Sequence, residues 1–260
     1  MSPVDALPGP VADAVRRAAS RPHVLLASDF DGTLAPFRDD PMTVCPDPAA
    51  ITALQEAAGQ PGVHVALVSG RDLAVLQHLS GVADDERLIF IGTHGAQTSL
   101  EVGSGSLSEA QRDLLARLDA GLQGVVAAHP GSRLERKPAA VVLHTRGMEE
   151  PENTAALEAA AAVAAAHPEC HPLRGKNVQE IGVHAADKGT ALVSLARHVG
   201  ADAVVYLGDD VTDERAFTAL RPDEGDVTIK IGEGETAAGW RVPGIPSAVA
   251  CLELFVATRR

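Results

Sequence analysis

The stretch Val24–Pro36, VLLASDFDGTLAP, decides how the rest of the chain is interpreted. Its first residues are mostly apolar and end at a carboxylate, which is typical of a buried strand that delivers a side chain to a site. Asp29 and Asp31 lie two residues apart, so along an extended strand end both side chains would point the same way. Gly32 permits a backbone that other residues resist, which predicts a tight turn after the strand.

Two neighbouring carboxylates repel each other unless a cation lies between them. The pattern therefore favours a divalent cation held by oxygen ligands, most simply Mg²⁺, which binds one or two carboxylates and leaves room for a phosphate. Asp29 can also act as a nucleophile that forms an aspartyl-phosphate, with Asp31 as the general acid and base. The alternative is a turn at a strand end whose two acids are simply solvated.

Composition limits the classes of protein that this chain can belong to. Its 260 residues, 45% of them hydrophobic, are enough for one large globular domain or two small ones. A net charge of −13 argues against a nucleic-acid partner. The three cysteines show neither metal-ligand spacing nor a disulfide pattern. No segment has the apolar length of a membrane span or a signal peptide, so we expect a cytoplasmic protein without a membrane partner.

Strands alternate with helices at both ends of the chain, and each strand stops at small polar residues. The predicted strands are 24–29, 63–68, 87–91, 203–207 and 227–231, and the predicted helices are 11–19, 48–58, 73–79, 188–199 and 247–258. This alternation predicts an α/β fold with a Rossmann-like parallel sheet and a site at the carboxyl ends of its strands.

The middle of the chain breaks this alternation. Gly103–Ser106 has the composition of a flexible joint. Beyond it, the sequence predicts helices over 108–118 and 154–166 and extended segments over 133–146 and 178–183. We therefore expect residues 103–182 to form a small α+β insertion, a cap domain, between the two parts of a core domain at 1–102 and 183–260.

Polar groups suited to phosphoryl chemistry follow other apolar segments as well. Ser69 is a hydroxyl predicted at a helix N-terminus, where the helix dipole favours phosphate oxygens. Lys188 is a point charge near a predicted helix start and could stabilise phosphoryl oxygens. Taken alone, such a serine is usually a helix cap and such a lysine is usually solvated. His94 lies near another strand end, where we expect a structural histidine with satisfied hydrogen bonds.

The segment Gly208–Glu214, GDDVTDE, follows one more apolar strand and is more specific. Burying several acids so close in sequence is costly without a cation. Asp209 would be a further metal ligand beside the two aspartates of the opening stretch. Asp210 and Asp213 would lie close enough to orient water or the lysine. The order and spacing of the four segments together favour the functional interpretation over the separate ordinary ones.

In this order the four segments resemble the motifs of the haloacid dehalogenase-like phosphohydrolases, over residues 25–255. Within that superfamily the chain resembles the trehalose-6-phosphate phosphatases through the strings DFDGTLAP, VSGRD, GTHGAQ, LERKPAAVVLHTR, GKNVQE and GDDVTDE. The resemblance implies a Mg²⁺-dependent enzyme that hydrolyses trehalose 6-phosphate to trehalose and phosphate, the last step of trehalose biosynthesis. It leaves open whether a trehalose-phosphate synthase is a partner.

The resemblance also implies which residues bind the substrate, since in that family the insertion is a cap that closes over the core and grips the disaccharide. The implied residues are Thr33, Gly70 and Arg71 in the core and Glu135, Lys137, His144, Arg146, Lys176 and Glu180 in the cap. The chain departs from the family at Gln97, where an acid is common, at Thr145, where a tyrosine is common, and at Ile181 and Gly182, where Arg-Pro is common.

Three other functions stay open from the residues. A phosphatase of sucrose-phosphate, mannosyl-phosphoglycerate or a hexose phosphate would share the same core. A mutase would pass the phosphoryl group to another sugar. A non-catalytic sugar-phosphate sensor would bind without turnover, but the intact Asp29, Asp31, Lys188 and Asp209 argue against it because a binding protein needs no nucleophile.

Overall fold

The structure is a computed structural model that describes residues 7–100, 107–137, 139–175, 177–183 and 187–260. Contacts divide the chain into two compact units, one made of Met1–Val102 and Asp187–Arg260 and the other of Gly103–Ala186. The predicted joint at Gly103–Ser106 lies outside the described residues. Within the described ranges, none of the helices has the length and hydropathy needed to cross a membrane.

Helices and strands alternate along most of the described chain. The strands are β1 (Val24–Asp29), β2 (Val63–Val68), β3 (Leu88–Gly92), β4 (Gln97–Thr98), β5 (Arg133–Lys137), β6 (Ala140–His144), β7 (His171–Gly175), β8 (Val178–Gly182), β9 (Ala203–Gly208), β10 (Val227–Ile231) and β11 (Trp240–Val242). The α-helices are α1 (Gly9–Ala19), α2 (Pro48–Ala58), α3 (Leu73–Ser80), α4 (Glu109–Ala128), α5 (Glu152–Ala165), α6 (Lys188–Val199), α7 (Asp213–Ala219) and α8 (Ile245–Arg259).

The first unit contains a seven-stranded sheet in the order β11-β10-β9-β1-β2-β3-β4, as far as the described residues show. Every neighbouring pair is parallel except β3 with β4. The central strand β1 pairs with β2 on one side and β9 on the other, and Asp29 is level with Val68. Because parallel strands end at the same edge, the loops after β1, β2 and β9 meet there. The predicted α/β fold class with a Rossmann-like parallel sheet is confirmed.

Both faces of this sheet are buried, which explains why its strands are apolar throughout rather than alternating. On β1, Val24 and Leu26 belong to the core formed with α1, α2 and α8. Leu25 and Ala27 face the other way, into the core formed with α6 and α7. Each of the four side chains is fully buried. The apolar part of the strand is therefore enclosed on both faces, and the strand ends at the carboxylate of Asp29.

The second unit is an α+β fold with an antiparallel sheet in the order β5-β6-β8-β7. Helices α4 and α5 cover one face of it. Val141, Leu143 and Ile181 pack there with leucines of α4, including Leu118 and Leu122. The residues between them in sequence lie on the opposite face of the sheet.

Three details of this unit differ from the prediction. Helix α4 runs to Ala128 rather than ending at residue 118, because its buried leucines continue at helical spacing through Leu122. Residues 133–146, predicted as one extended segment, contain the two paired strands β5 and β6. Strand β7 was not predicted, since its side chains are exposed and give no apolar pattern.

Arg259, at the end of α8, connects the segment after α1 with the loop between α2 and β2. Its guanidinium donates hydrogen bonds to the carbonyl oxygens of Ala19, Arg21, Pro22 and Pro61, at distances from 2.6 to 3.2 Å. The neighbouring Arg260 forms a single ion pair with Glu56, on exposed side chains. The two adjacent arginines thus differ sharply in how many backbone groups depend on them.

We predict that Arg259→Ala lowers the free energy of unfolding by about 2 kcal/mol, because several charge-assisted hydrogen bonds are lost at once. Arg260→Ala is the matched control and should cost less than about 0.5 kcal/mol, since it removes one exposed ion pair. Urea denaturation of both variants measures the difference. Equal losses for the two would contradict the structural role of Arg259.

Candidate active site

A buried lysine at the start of α6 joins the end of β1 to the start of α7. Lys188, the first residue of α6, places its Nζ 2.5 Å from Asp29 Oδ1 and 2.8 Å from Asp213 Oδ1. The three side chains are at most 5% exposed. Isolated buried charges are very costly, so each of them depends on the others. The predicted nucleophile and the predicted phosphate-binding lysine are therefore in direct contact.

Asp213 organises this cluster rather than offering itself to a ligand. Its Oδ1 accepts hydrogen bonds from Lys188 and, at 2.5 Å, from the Tyr206 hydroxyl. Its Oδ2 accepts the backbone N–H groups of Asp209 and Asp210, both at 3.0 Å. A carboxylate has about four acceptor sites, and here four donors occupy them. Sequence reasoning did not single out Tyr206, which looks like an ordinary core aromatic on an apolar strand.

The pKa values of Lys188, Asp29 and Asp209 are raised, which is expected where carboxylates outnumber cations. Burial opposes the charge on Lys188, but Asp29 and Asp213 more than offset this effect and raise its pKa. Burial raises the pKa of Asp29 well above its usual range, although Lys188 opposes the rise. Burial, followed by the charge of Asp213, also raises the pKa of Asp209. One ammonium thus pairs with two buried carboxylates beside the half-buried Asp209, and a further positive charge would stabilise the three.

The second aspartate of the opening stretch has a different partner. Arg71 holds Asp31 with two parallel hydrogen bonds, from Nε at 2.7 Å to Oδ2 and from Nη2 at 2.6 Å to Oδ1. Ser69, 1% exposed, lies 3.5 Å from the same carboxylate and accepts the backbone N–H of Arg71. The structure thus pairs the predicted substrate-binding arginine with the predicted general acid and base.

The position of Ser69 differs from the one expected. Helix α3 begins at Leu73, and its cap is Asp72, which accepts the backbone N–H of Ala74. Ser69 lies earlier, in the loop between β2 and α3, so the predicted placement at a helix N-terminus is wrong. The sequence pattern could not separate the two cases, because both a serine and an aspartate in SGRD are good caps.

Asp209 is packed against the turn that follows β1. Thr33 is fully buried, and its hydroxyl lies 3.4 Å from Asp209 Oδ1. Gly32 has a φ of +76°, and a Cβ there would lie 2.0 Å from Asp209 Oδ2. Only glycine fits both the backbone and the contact. Lys230, which sequence reasoning missed, is 5% exposed and donates from Nζ to the carbonyl oxygen of Asp209.

The donor set at the strand ends fits a divalent cation. One carboxylate oxygen from each of Asp29, Asp209 and Asp213 lies within 4.8 Å of the others. Since Asp213 is occupied by four donors, Asp29 and Asp209 are the two carboxylates available. Mg²⁺ prefers oxygen ligands, and its positive charge would balance the carboxylates at this place. Asp31, predicted as a third ligand, has both carboxylate oxygens on Arg71.

The predicted sugar-binding residues share one face of the sheet in the second unit. Glu135 on β5 and Glu180 on β8 both lie opposite Val142, and Lys137 and His144 follow at alternate positions. Lys137 Nζ is 2.6 Å from Glu180 Oε2, and His144 Nε2 is 2.7 Å from Glu135 Oε2.

Two further predicted cap residues lie apart from these pairs. Arg146 is exposed after β6, and Lys176 lies outside the described residues. Thr145, one of the departures from the family pattern, is buried, and its hydroxyl has no hydrogen-bond partner in the described part of the chain. Gln97, another departure, accepts hydrogen bonds from the Leu73 N–H and the Thr93 hydroxyl.

A mostly parallel sheet with an inserted α+β unit, and acidic loops at its strand ends, defines an α/β fold with its candidate site at the carboxyl ends of the strands. The chain belongs to the trehalose-phosphatase family, whose sequence model matches residues 27–244. The family resemblance noted in the sequence is thereby confirmed.

Two relatives and one solved structure show how far the similarity extends. The chain is 31% identical over 230 residues to trehalose-6-phosphate phosphatase of Escherichia coli (strain K12), covering 87% of this chain and 84% of that protein. It is 33% identical over 208 residues to trehalose-phosphate phosphatase of Mycolicibacterium paratuberculosis (strain ATCC BAA-968 / K-10), covering 76% of this chain but only 52% of that longer protein. The structure of Aspergillus fumigatus trehalose-6-phosphate phosphatase covers 95% of this chain and 97% of its own, with a TM-score of 0.59 and 21% identity. The structural match shows a shared fold.

We predict that Gly32→Ala displaces the Asp209 carboxylate, because its Cβ would overlap Oδ2. It should lower the free energy of unfolding by at least about 2 kcal/mol and abolish most hydrolysis of p-nitrophenyl phosphate. Gly81→Ala is the matched control, since Gly81 has a φ of +70° but no neighbour within 4 Å. It should cost only about 1 kcal/mol and leave activity unchanged. Similar activity losses in both variants would show that backbone strain, not the contact with Asp209, is responsible.

Proposed function

We propose that this protein hydrolyses trehalose 6-phosphate to trehalose and phosphate through an aspartyl-phosphate on Asp29. The observation that carries the proposal is the buried contact of Asp29 with Lys188 and Asp213, in a chain of the trehalose-phosphatase family. The relatives named above carry this activity in their names, and the Escherichia coli protein is matched over most of its length. For the longer mycobacterial relative the matched part is about half.

In the first step Asp29 attacks phosphorus. Lys188 binds Oδ1 and leaves Oδ2 to form the new P–O bond. The ammonium also offsets the negative charge of the phosphoryl oxygens as they approach a site that is already rich in carboxylates. Asp213 keeps Lys188 at the right place, since it accepts from the lysine and from two backbone N–H groups of the adjacent loop.

Asp31 serves both steps as the acid and base. Asp31 enters the first step protonated and gives this proton to the departing sugar oxygen as the P–O bond to the sugar breaks. As a carboxylate it then takes a proton from the water that attacks the aspartyl-phosphate, which restores the protonated form. Arg71 fixes the carboxylate in one orientation through its two hydrogen bonds, beside the Ser69 hydroxyl. Ser69 and the neighbouring Gly70 would bind phosphoryl oxygens in the same loop.

Asp29 and Asp209 would hold Mg²⁺ through their carboxylates, with Thr33 and Lys230 keeping Asp209 in place. When bound, Mg²⁺ supplies positive charge that neutralises the phosphoryl oxygens and the two carboxylates. The raised pKa of Asp29 and of Asp209, caused mainly by burial, supports this assignment because both groups need a counter-charge.

The second unit would recognise the sugar. One face of its sheet offers charged donors and acceptors, which are Glu135, Lys137, His144 and Glu180. Hydroxyl groups of a disaccharide could replace the Lys137–Glu180 and His144–Glu135 contacts with hydrogen bonds to the sugar. This division of work leaves the chemistry to the first unit and the choice of substrate to the second.

The test is phosphate release with Mg²⁺ from trehalose 6-phosphate, sucrose 6-phosphate, mannosyl-phosphoglycerate, glucose 6-phosphate and p-nitrophenyl phosphate. We expect a strong preference for trehalose 6-phosphate, abolished by EDTA, because the metal and the sugar-binding face are both needed. A better turnover of another sugar phosphate would keep the mechanism and overturn the substrate. Silence on the whole panel would indicate a sensor.

Variants of the second unit separate recognition from chemistry in the same assay. Glu180→Gln should raise KM for trehalose 6-phosphate by about tenfold, since a charge-assisted partner is lost, and leave p-nitrophenyl phosphate hydrolysis unchanged. Glu149→Gln is the control, because Glu149 is an exposed acid of the same unit. An unchanged KM in Glu180→Gln would remove Glu180 from the sugar site.

A further inference from the structure

The turn after β3 has an unusual backbone. Thr93 has a φ of 50° and His94 a φ of 53°, and among the described residues these are the only non-glycine positions with positive φ. Side chains with a Cβ disfavour this left-handed region, and such outliers persist only where the surroundings impose them. Two such residues in succession, next to the strand ends that carry the candidate site, indicate that the turn has a functional role.

The turn is held by the loop that contains Ser69. The backbone N–H of Thr93 donates to the carbonyl oxygen of Arg71 at 2.7 Å, and that of His94 donates to the carbonyl oxygen of Ser69 at 3.0 Å. With the turn held in this way, the His94 ring lies close to Gly70. A Cβ at Gly70 would lie 2.4 Å from Cε1 and 2.6 Å from Nε2 of the ring. A side chain at position 70 would therefore displace the ring of His94.

The ring of His94 is not the satisfied structural histidine that the sequence predicted. Its Nδ1 is buried and has no hydrogen-bond partner in the described part of the chain. Burial and then the charge of Lys188 lower the pKa of His94, against smaller opposite effects of Asp210 and Asp213. This lowered pKa disfavours the charged, doubly protonated ring. A buried nitrogen without a partner is better left as a lone pair than as an N–H, so the proton belongs on Nε2.

The Nε2 edge of the ring lies beside Gly70, in the loop of Ser69 and in the electrostatic field of Lys188. Structural packing alone would not explain why a polar ring is placed there in a strained turn with a nitrogen unpaired. An apolar side chain on a relaxed turn would fill the same space. A phosphoryl oxygen would suit this position, because it accepts a hydrogen bond from an N–H group and its negative charge is attracted by Lys188.

We propose that His94 binds the phosphoryl group of the substrate, donating a hydrogen bond from Nε2 beside Gly70. This rests on the proposed phosphatase function and adds to it a binding residue outside the four sequence segments. The left-handed turn places the ring against Gly70, next to the residues that are proposed to bind the phosphate.

The test uses inorganic phosphate as the probe, both as a competitive inhibitor and as a ligand that raises the melting temperature. His94→Gly removes the ring and relieves the strained backbone. It should melt at or above the temperature of the unmodified protein and bind phosphate about tenfold more weakly or worse. His94→Gln places an amide N–H close to the position of Nε2 and should restore most of the affinity.

Thr93→Asn is the matched control, because asparagine tolerates the left-handed backbone one residue earlier and leaves the ring in place. Its phosphate affinity should stay within twofold of the unmodified protein. Unchanged phosphate affinity in His94→Gly, or a clear fall in its melting temperature, would assign His94 to packing and overturn the proposal. If no sugar phosphate is hydrolysed by the unmodified protein, the proposed function fails, and the phosphate-induced melting shift still decides the role of His94.

Discussion

The burial of one ammonium between two carboxylates is the constraint on which this site depends. Lys188 is buried in contact with Asp29 and Asp213, and its positive charge balances theirs. Removing the lysine would leave buried carboxylates without a counter-charge, which is strongly destabilising. The start of α6, the end of β1 and the start of α7 must therefore meet within hydrogen-bond distance. The parallel sheet makes this possible, because β1 and β9 are neighbours and end at the same edge.

The cluster also explains how the acid-rich loop after β9 is held in its conformation. Asp213 receives two backbone N–H groups of that loop, so its carboxylate shapes the loop that carries Asp209. Tyr206 adds a donor from inside the sheet. Negative charge is concentrated in this way at the strand ends, where the proposed mechanism places the phosphate. This acidic cluster is the reason for proposing a metal there.

The sequence predicted those parts that local patterns record. Apolar strands ending in acids located Asp29 and Asp209, and a lysine at a helix start located Lys188. It could not show that Arg71 holds Asp31, because contacts between side chains far apart in sequence leave no spacing to read. The unusual turn at His94 was also missed, since a left-handed backbone on a non-glycine residue has no sequence signature. Exposed strands such as β7 were not predicted, because the alternation of apolar and polar residues arises from burial of one face and not from strand formation itself.

The most direct measurement is chemical trapping of the covalent intermediate during turnover of trehalose 6-phosphate. Rapid quenching followed by borohydride reduction converts an aspartyl-phosphate to homoserine, which peptide mass spectrometry can place. The mechanism predicts homoserine at Asp29 alone, and none when the substrate is omitted. Full turnover with Asp29 unmodified in every quenched sample, or homoserine at another aspartate, would contradict the assignment of Asp29 as the nucleophile.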